Sequence, residues 1–266
     1  MRPTACGFGG LRGLEVPGAG WPLLCVHGNS ADHRTFERLL TCAPLTGRHL
    51  VALDLPGHGG SPWRPGGDYG LQSYAEAVER ATSDLGDCVL FGHSLGGHVA
   101  LQGLAAGRFA TCRGLAVLGT PPLTGASGLA PAFQDPASMA FLFRAELSDA
   151  DVALWGRETF GGEPPAWFAA AVRATDPEAR RGLGDSIAAD ALLDECAVLE
   201  SAPFPVAVLH AEADPYVSPG YITALRGRAL WRGAVQELAN AGHFAPFSAP
   251  DAVGHLLAAF LNDLGG

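Results

Sequence analysis

The sequence predicts an α/β fold: a mostly parallel, doubly wound sheet carrying an inserted, all-helical cap. Three observations predict it. Short apolar runs suited to buried strands recur at residues 21–26, 49–54, 88–92, 115–120 and 206–210, with helix-period stretches between them. The interval 121–200 is several times the dozen or so residues that a parallel crossover needs, so it is an insertion. Hydrophobic residues make up 48% of the 266 and charged residues 17%, which fits one compact domain with a large core.

In chain order, residues 1–20 are rich in Gly and Pro and yield one short strand, 11–16. The run at 21–26 ends in the loop His27-Gly28-Asn29-Ser30, and Ser30 or Asp32 as cap predicts a helix over about 33–42. A second buried strand, 49–54, is closed by Leu55-Pro56-Gly57-His58-Gly59-Gly60-Ser61. Leu71, Tyr74, Ala75, Val78 and Leu85 share one stripe of a helix over 71–85. A strand at 88–92 and a helix at 95–106 flank Ser94. The insertion reads as amphipathic helices over 137–145, 149–159, 165–174, 177–187 and 188–199. Ser148 and Asp176 serve as N-caps, the latter with Pro177 at the first helical position. After the strand at 206–210 come a helix near 218–227, a strand at 235–238, the loop Asn240-Ala241-Gly242-His243 and a last helix over about 249–263. The core is therefore 1–120 with 201–266. The cap, 121–200, lies over the carboxyl edge of the sheet, where ligands of open α/β folds bind.

Composition excludes several classes of partner. The formal charge is −10 and no stretch carries a run of Lys or Arg, so neither nucleic acid nor an anionic membrane is expected. No apolar run approaches the length of a membrane span, and residues 1–20 lack the pattern of a signal peptide; a cytoplasmic location is expected. The six cysteines have no C-x-x-C or Cys/His clustering and read as reduced, buried hydrophobes. No pair of histidines has zincin spacing, and the Gly-rich segments lack both a Walker lysine and a G-x-G-x-x-G order. No metal and no cofactor are expected.

The chemistry gathers at Gly92-His93-Ser94-Leu95-Gly96, where an apolar strand feeds a G-x-S-x-G turn that opens a helix. This pattern is a nucleophile elbow, with the serine hydroxyl lifted clear on a sharp strand-to-helix turn. A serine hydroxyl needs a base, and the base needs an acid to fix its tautomer. Asp214 follows the strand at 206–210 and His243 sits in a Gly-flanked loop after the next strand. Both hang from strand ends on the edge that carries Ser94, in the order Ser, Asp, His, with Glu212 as the nearest rival for the acid. Among the other histidines, His27 and His58 are expected to hold loops, and His93 to pack beside the nucleophile. His98 and His255 read as helix-face residues, and His33, His49 and His210 have no evident partner.

Four segments together resemble the α/β-hydrolase superfamily, in particular its serine-nucleophile, esterase- and lipase-like members with a helical cap. They are His27-Gly28-Asn29-Ser30, Asp54-Leu55-Pro56-Gly57-His58-Gly59-Gly60-Ser61, Gly92-His93-Ser94-Leu95-Gly96-Gly97, and Asp214 with Gly242-His243. The resemblance implies Ser94 as nucleophile, His243 as general base and Asp214 as its orienting acid. It implies an oxyanion hole from the backbone N–H groups of Leu95 and Asn29, with Ser30 as the lesser candidate. Cap residues Met139, Phe141, Leu142 and Phe143 would line an apolar substrate pocket. The expected substrate is a small to medium, largely apolar carboxylic ester. Thioester or carbon–carbon bond hydrolysis, lyase and perhydrolase chemistry use the same triad, and a ligand-binding receptor on this fold is the alternative of another class.

Overall fold

A computed structural model describes residues 2–64, 66–134, 137–189 and 191–265. Among the described residues eight strands form a single sheet in the order β1-β2-β4-β3-β5-β6-β7-β8. They are β1 (Thr4–Phe8), β2 (Leu11–Val16), β3 (Ala19–Val26), β4 (Arg48–Leu53), β5 (Cys88–His93), β6 (Cys112–Leu118), β7 (Val206–Ala211) and β8 (Gln236–Leu238). β1 and β2 run antiparallel to their neighbours, and every pairing from β4 through β8 is parallel. The strand period of two divides each central strand between two cores. Leu24, Val26, Leu90 and Val117 face one side with α1 (Leu71–Leu85) and α2 (Leu95–Ala105). Leu23, Cys25, Val89 and Phe91 face the other, against the C-terminal helix. Burial on both faces is why these strands read as unbroken apolar runs.

Between β6 and β7 the chain is helical: α3 (Leu129–Ala132), α4 (Asp149–Phe160), α5 (Ala166–Ala174), α6 (Pro177–Ala188) and α7 (Cys196–Ser201). Ser148 caps α4 through a complete capping box with Asp151, and the Asp176 carboxylate caps α6 by accepting from Glu178 N–H. The remaining helices are α8 (Pro219–Thr223), α9 (Ala245–Ser248) and α10 (Pro250–Leu264).

The structure departs from the sequence reading in five places. β1 pairs with β2 through a Gly9-Gly10 turn in which both glycines have positive φ, a two-residue hairpin signal that residues 1–20 do carry. Residues 33–45 form three 3₁₀ turns instead of an α-helix. Asp32 caps the first by accepting from Arg34 N–H, and Asp54 ties down the His33 N–H at 2.7 Å. Ala137–Phe143 is likewise 3₁₀. The helix expected over 188–199 is broken, because Asp194 bridges Thr124 and Glu195 N–H donates to Leu123 O at 2.7 Å. α8 is shorter than the helix expected near 218–227. No helix among the described residues is long and apolar enough to cross a membrane.

Candidate active site

β5 ends at His93 and α2 begins at Leu95, so Ser94 alone turns the chain. It does so at φ 52° and ψ −120°, a left-handed conformation costly for a residue with a Cβ. The turn is too tight for side chains around it. A Cβ on Gly92 would stand 2.4 Å from Gly97 Cα, and one on Gly96 would stand 2.1 Å from Val26 O. Ser94 N–H donates to Leu118 O at 2.9 Å and Ser94 O accepts from the Thr120 hydroxyl at 2.9 Å, so the neighbouring strand holds the strained backbone in place. The Ser94 side chain is half-buried, and among the described residues its hydroxyl has no hydrogen-bond partner.

Asp214 follows β7 and His243 follows β8, and the parallel sheet brings both to the carboxyl edge where Ser94 lies. His243 Nδ1 and Asp214 Oδ2 are 2.7 Å apart, while Asp214 Oδ1 accepts from Tyr216 N–H at 2.9 Å and Val217 N–H at 3.3 Å. Burial alone would push the Asp214 pKa up. The His243 charge and hydrogen bond, helped by the two backbone donors, outweigh burial and hold it below the ordinary carboxylate value. With Nδ1–H given to the carboxylate, Nε2 is the free nitrogen of the His243 ring. His243 and Ser94 line one small cavity of about 40 Å³. Gly119, at φ 63°, lets the ring settle there, since a Cβ at 119 would stand 2.9 Å from His243 Cε1. Glu212 is exposed and accepts from Asn240 N–H at 3.1 Å, which removes it from the acid role.

The loop after β3 forms the facing wall. Gly28 lies so close that a Cβ on it would be 3.1 Å from Ser94 Cβ. Among the described residues the backbone N–H groups of Asn29 and Leu95 have no acceptor, and Leu95 opens α2, where helix geometry supplies none. Both residues line a larger cavity of about 550 Å³ together with Ser94. Ser30 is turned away from it: the Ser30 hydroxyl donates to Asn29 Oδ1 at 2.9 Å and accepts from the buried Arg180 Nη1 at 3.1 Å. Asn29 Nδ2 donates to Leu142 O at 2.8 Å, so this loop is tied to the insertion at two points.

Three buried histidines hold the loops. His27 Nε2 accepts from Leu55 N–H at 2.9 Å and its Nδ1 meets Gly28 O at 2.7 Å. His58 Nδ1 bonds Pro56 O at 3.0 Å. His93 Nε2 donates to His243 O at 2.9 Å, fixing the backbone of the loop that carries His243. Burial drives the pKa values of His58 and His93 down to about 3, so both rings are neutral at pH 7. His33 and His49 do have partners, Asp54 at 2.9 Å and Glu15 at 2.8 Å. Asp32, His33 and Asp54 have donor atoms within 4.8 Å of one another, as a cation would need. Their valences are already used: Asp32 holds the Arg34 guanidinium, and Asp54 accepts from His33 and Gly60.

Of the four cap residues named for a pocket, Met139, Leu142 and Phe143 line the large cavity and Phe141 does not. Its ring is buried inside the insertion, 6.5 Å centroid to centroid from Trp155. With three residues per turn, the 3₁₀ segment aligns Met139 with Leu142 and turns Phe141 to another side. The cavity also exposes residues that sequence reasoning missed. Chief among them is His98, whose Nδ1 is 2.9 Å from the buried Glu195 Oε2. Its spacing, four residues after Ser94 and hence on the same helix face, was the available signal.

The chain matches the alpha/beta hydrolase family over residues 23–255. It is 26% identical over 267 residues to the AB hydrolase superfamily protein YisY of Bacillus subtilis, covering 94% of each chain. It is 30% identical to Esterase Rv0045c of Mycobacterium tuberculosis, over 35% of this chain and 31% of that one. Among solved structures, the N-acyl homoserine lactonase AidH complexed with N-butanoyl homoserine superimposes with a TM-score of 0.89. The two are 29% identical, with 99% of this chain and 97% of that one covered.

Proposed function

The chain belongs to the alpha/beta hydrolase family, and from that premise we propose that it hydrolyses carboxylic esters, open-chain or cyclic, through an acyl-enzyme on Ser94. One observation carries the reading: the Asp214–His243 hydrogen bond leaves Nε2 free in a cavity that Ser94 also lines. His243 takes the hydroxyl proton as Ser94 Oγ attacks the carbonyl carbon. The N–H groups of Leu95 and Asn29 stabilise the oxyanion, each worth on the order of 10²–10³ in turnover. His243 then protonates the departing alkoxide and activates the water that releases the acid. The helical insertion acts as the cap, and the cavity of about 550 Å³ takes the apolar part of the substrate.

The likeness to a lactonase favours including cyclic esters, in which the departing alkoxide stays attached to the product. The test is turnover of phenyl hexanoate and N-hexanoyl homoserine lactone by the wild type and by Ser94→Ala. We expect hydrolysis of at least one by the wild type and a loss of about 10⁶-fold in the variant, the scale found for serine proteases. Hydrolysis that survives Ser94→Ala overturns the assignment. Failure of a fluorophosphonate to label Ser94 favours a binding protein on this fold instead.

A further inference from the structure

The wall of the large cavity is mainly apolar, and one of its few polar points is His98 on α2. His98 lies one helical turn, a rise of about 6 Å, beyond Ser94. Its backbone N–H donates to Ser94 O at 3.2 Å. Its partner Glu195 is fully buried. The Glu195 carboxylate also accepts from Gln102 Nε2 and from Leu123 N–H, each at 3.0 Å. Three donors converge on an acceptor, so Nδ1 carries the ring proton, and in the neutral ring Nε2 is a bare lone pair. Among the described residues no group donates to that atom, while the ring lines the cavity beside Ser94.

A buried carboxylate is a costly way to complete an apolar wall, since well-packed apolar side chains do the same without desolvating a charge. What Glu195 adds is orientation. It reaches the ring because the chain leaves helical conformation before α7 and bridges back to Thr124, a detour that interrupts the helix expected there.

Resting on the ester-hydrolase reading of Ser94, the geometry points to His98 as a specificity-determining residue. Its Nε2 accepts a hydrogen bond from a hydroxyl or amide N–H that the substrate's acyl part carries a few bonds from the scissile carbonyl, within the reach of one helical turn. The substrate class is thus an ester of an acid with an internal hydrogen-bond donor, the rest of its chain being apolar.

The test uses three phenyl esters: N-acetyl-β-alanyl, 5-oxohexanoyl and hexanoyl. The first two differ only in N–H against CH₂. Calorimetry on Ser94→Ala protein at pH 8 gives their dissociation constants without turnover. The preference for the N–H ester over its CH₂ analogue should fall by about 3- to 10-fold when His98→Leu is added, the worth of one neutral hydrogen bond. Binding of the hexanoyl ester, which offers the ring no hydrogen bond, reports the change in apolar packing alone and is the reference against which the preference is read. A preference that His98→Leu leaves unchanged overturns the proposal. If the single change unfolds the protein, the pair His98→Phe and Glu195→Leu removes the buried charge with its partner and reads the same preference. Wild-type turnover of the hexanoyl ester is measured alongside. Its absence sinks the hydrolase reading and leaves the binding comparison standing.

Discussion

Two histidines that line cavities shared with Ser94 each set a buried carboxylate against Nδ1. His243 meets Asp214 at 2.7 Å, and His98 meets Glu195 at 2.9 Å. In each pair the carboxylate is completely shielded and accepts from backbone N–H groups as well, two at Asp214 and one at Glu195. The difference lies in what carries them. Asp214 and His243 follow adjacent parallel strands, and Gly119 makes room for the ring beside the serine. His98 stands on α2, and Glu195 comes from the insertion. A histidine on a buried carboxylate is therefore not a base by that fact alone. In the proposed reading its position relative to the hydroxyl divides the work: one ring to proton transfer, the other to reading the substrate.

The largest test of that division is Asp214→Asn. An amide NH₂ at this position donates to Nδ1, which moves the ring proton to Nε2 and leaves nothing to accept the Ser94 proton. By analogy with the same change in a serine protease, kcat should fall by about 10⁴ while the fold survives. Steady-state turnover of the hexanoyl ester, with circular dichroism as the folding control, checks it. A loss below tenfold would remove Asp214 from the machinery.

A second test concerns the histidines that lack a carboxylate. His58 and His93 have pKa values near 3 when folded, against an ordinary value of 6.5, because burial penalises their charged forms. Between those limits the unfolded chain binds more protons than the folded one. Their contribution is complete above about pH 6.5 and is lost as pH falls toward 3, at about 1.4 kcal/mol per pH unit for each ring. Urea unfolding at pH 7, 5.5 and 4.5 should show this fall, and His58→Gln should reduce its slope by about one proton. An unchanged slope in that variant contradicts the burial argument.

The first pair was legible in the sequence and the second was not, for physical reasons. A strand end places its next residues on a known edge of a parallel sheet, so Asp214 and His243 could be placed beside Ser94 from strand order, while the choice of Asp214 over Glu212 needed the geometry. Gly92 and Gly96 marked the elbow because no other residue fits where helix and strand close. Glu195 reaches His98 only through a backbone bridge to Thr124, a long-range contact without periodicity, and the apolar pattern of 188–199 argued for a helix instead. Phe141 was misassigned for a related reason. Apolar content places a residue in a core, but the change from 3.6 to 3 residues per turn decides which core.

The smallest expected effect is also the sharpest comparison, because it repeats the amide substitution at the second pair. In Glu195→Gln either orientation of the amide leaves an oxygen within reach of His98 Nδ1–H, because both side-chain oxygens meet that nitrogen, at 2.9 Å and 3.1 Å. The ring proton therefore stays on Nδ1, unlike in Asp214→Asn, where one oxygen alone meets the ring, and the Nε2 lone pair still faces the cavity. Turnover of the hexanoyl ester should stay within about threefold of wild type, since that substrate offers the ring no hydrogen bond. The preference for the N-acetyl-β-alanyl ester over the 5-oxohexanoyl ester should survive to within about threefold. Values of kcat/KM for the three esters decide it. If Glu195→Gln instead lowers kcat for all three equally by 10² or more, the second pair belongs with the first in the proton-transfer machinery, and the division of work between the two histidines is wrong.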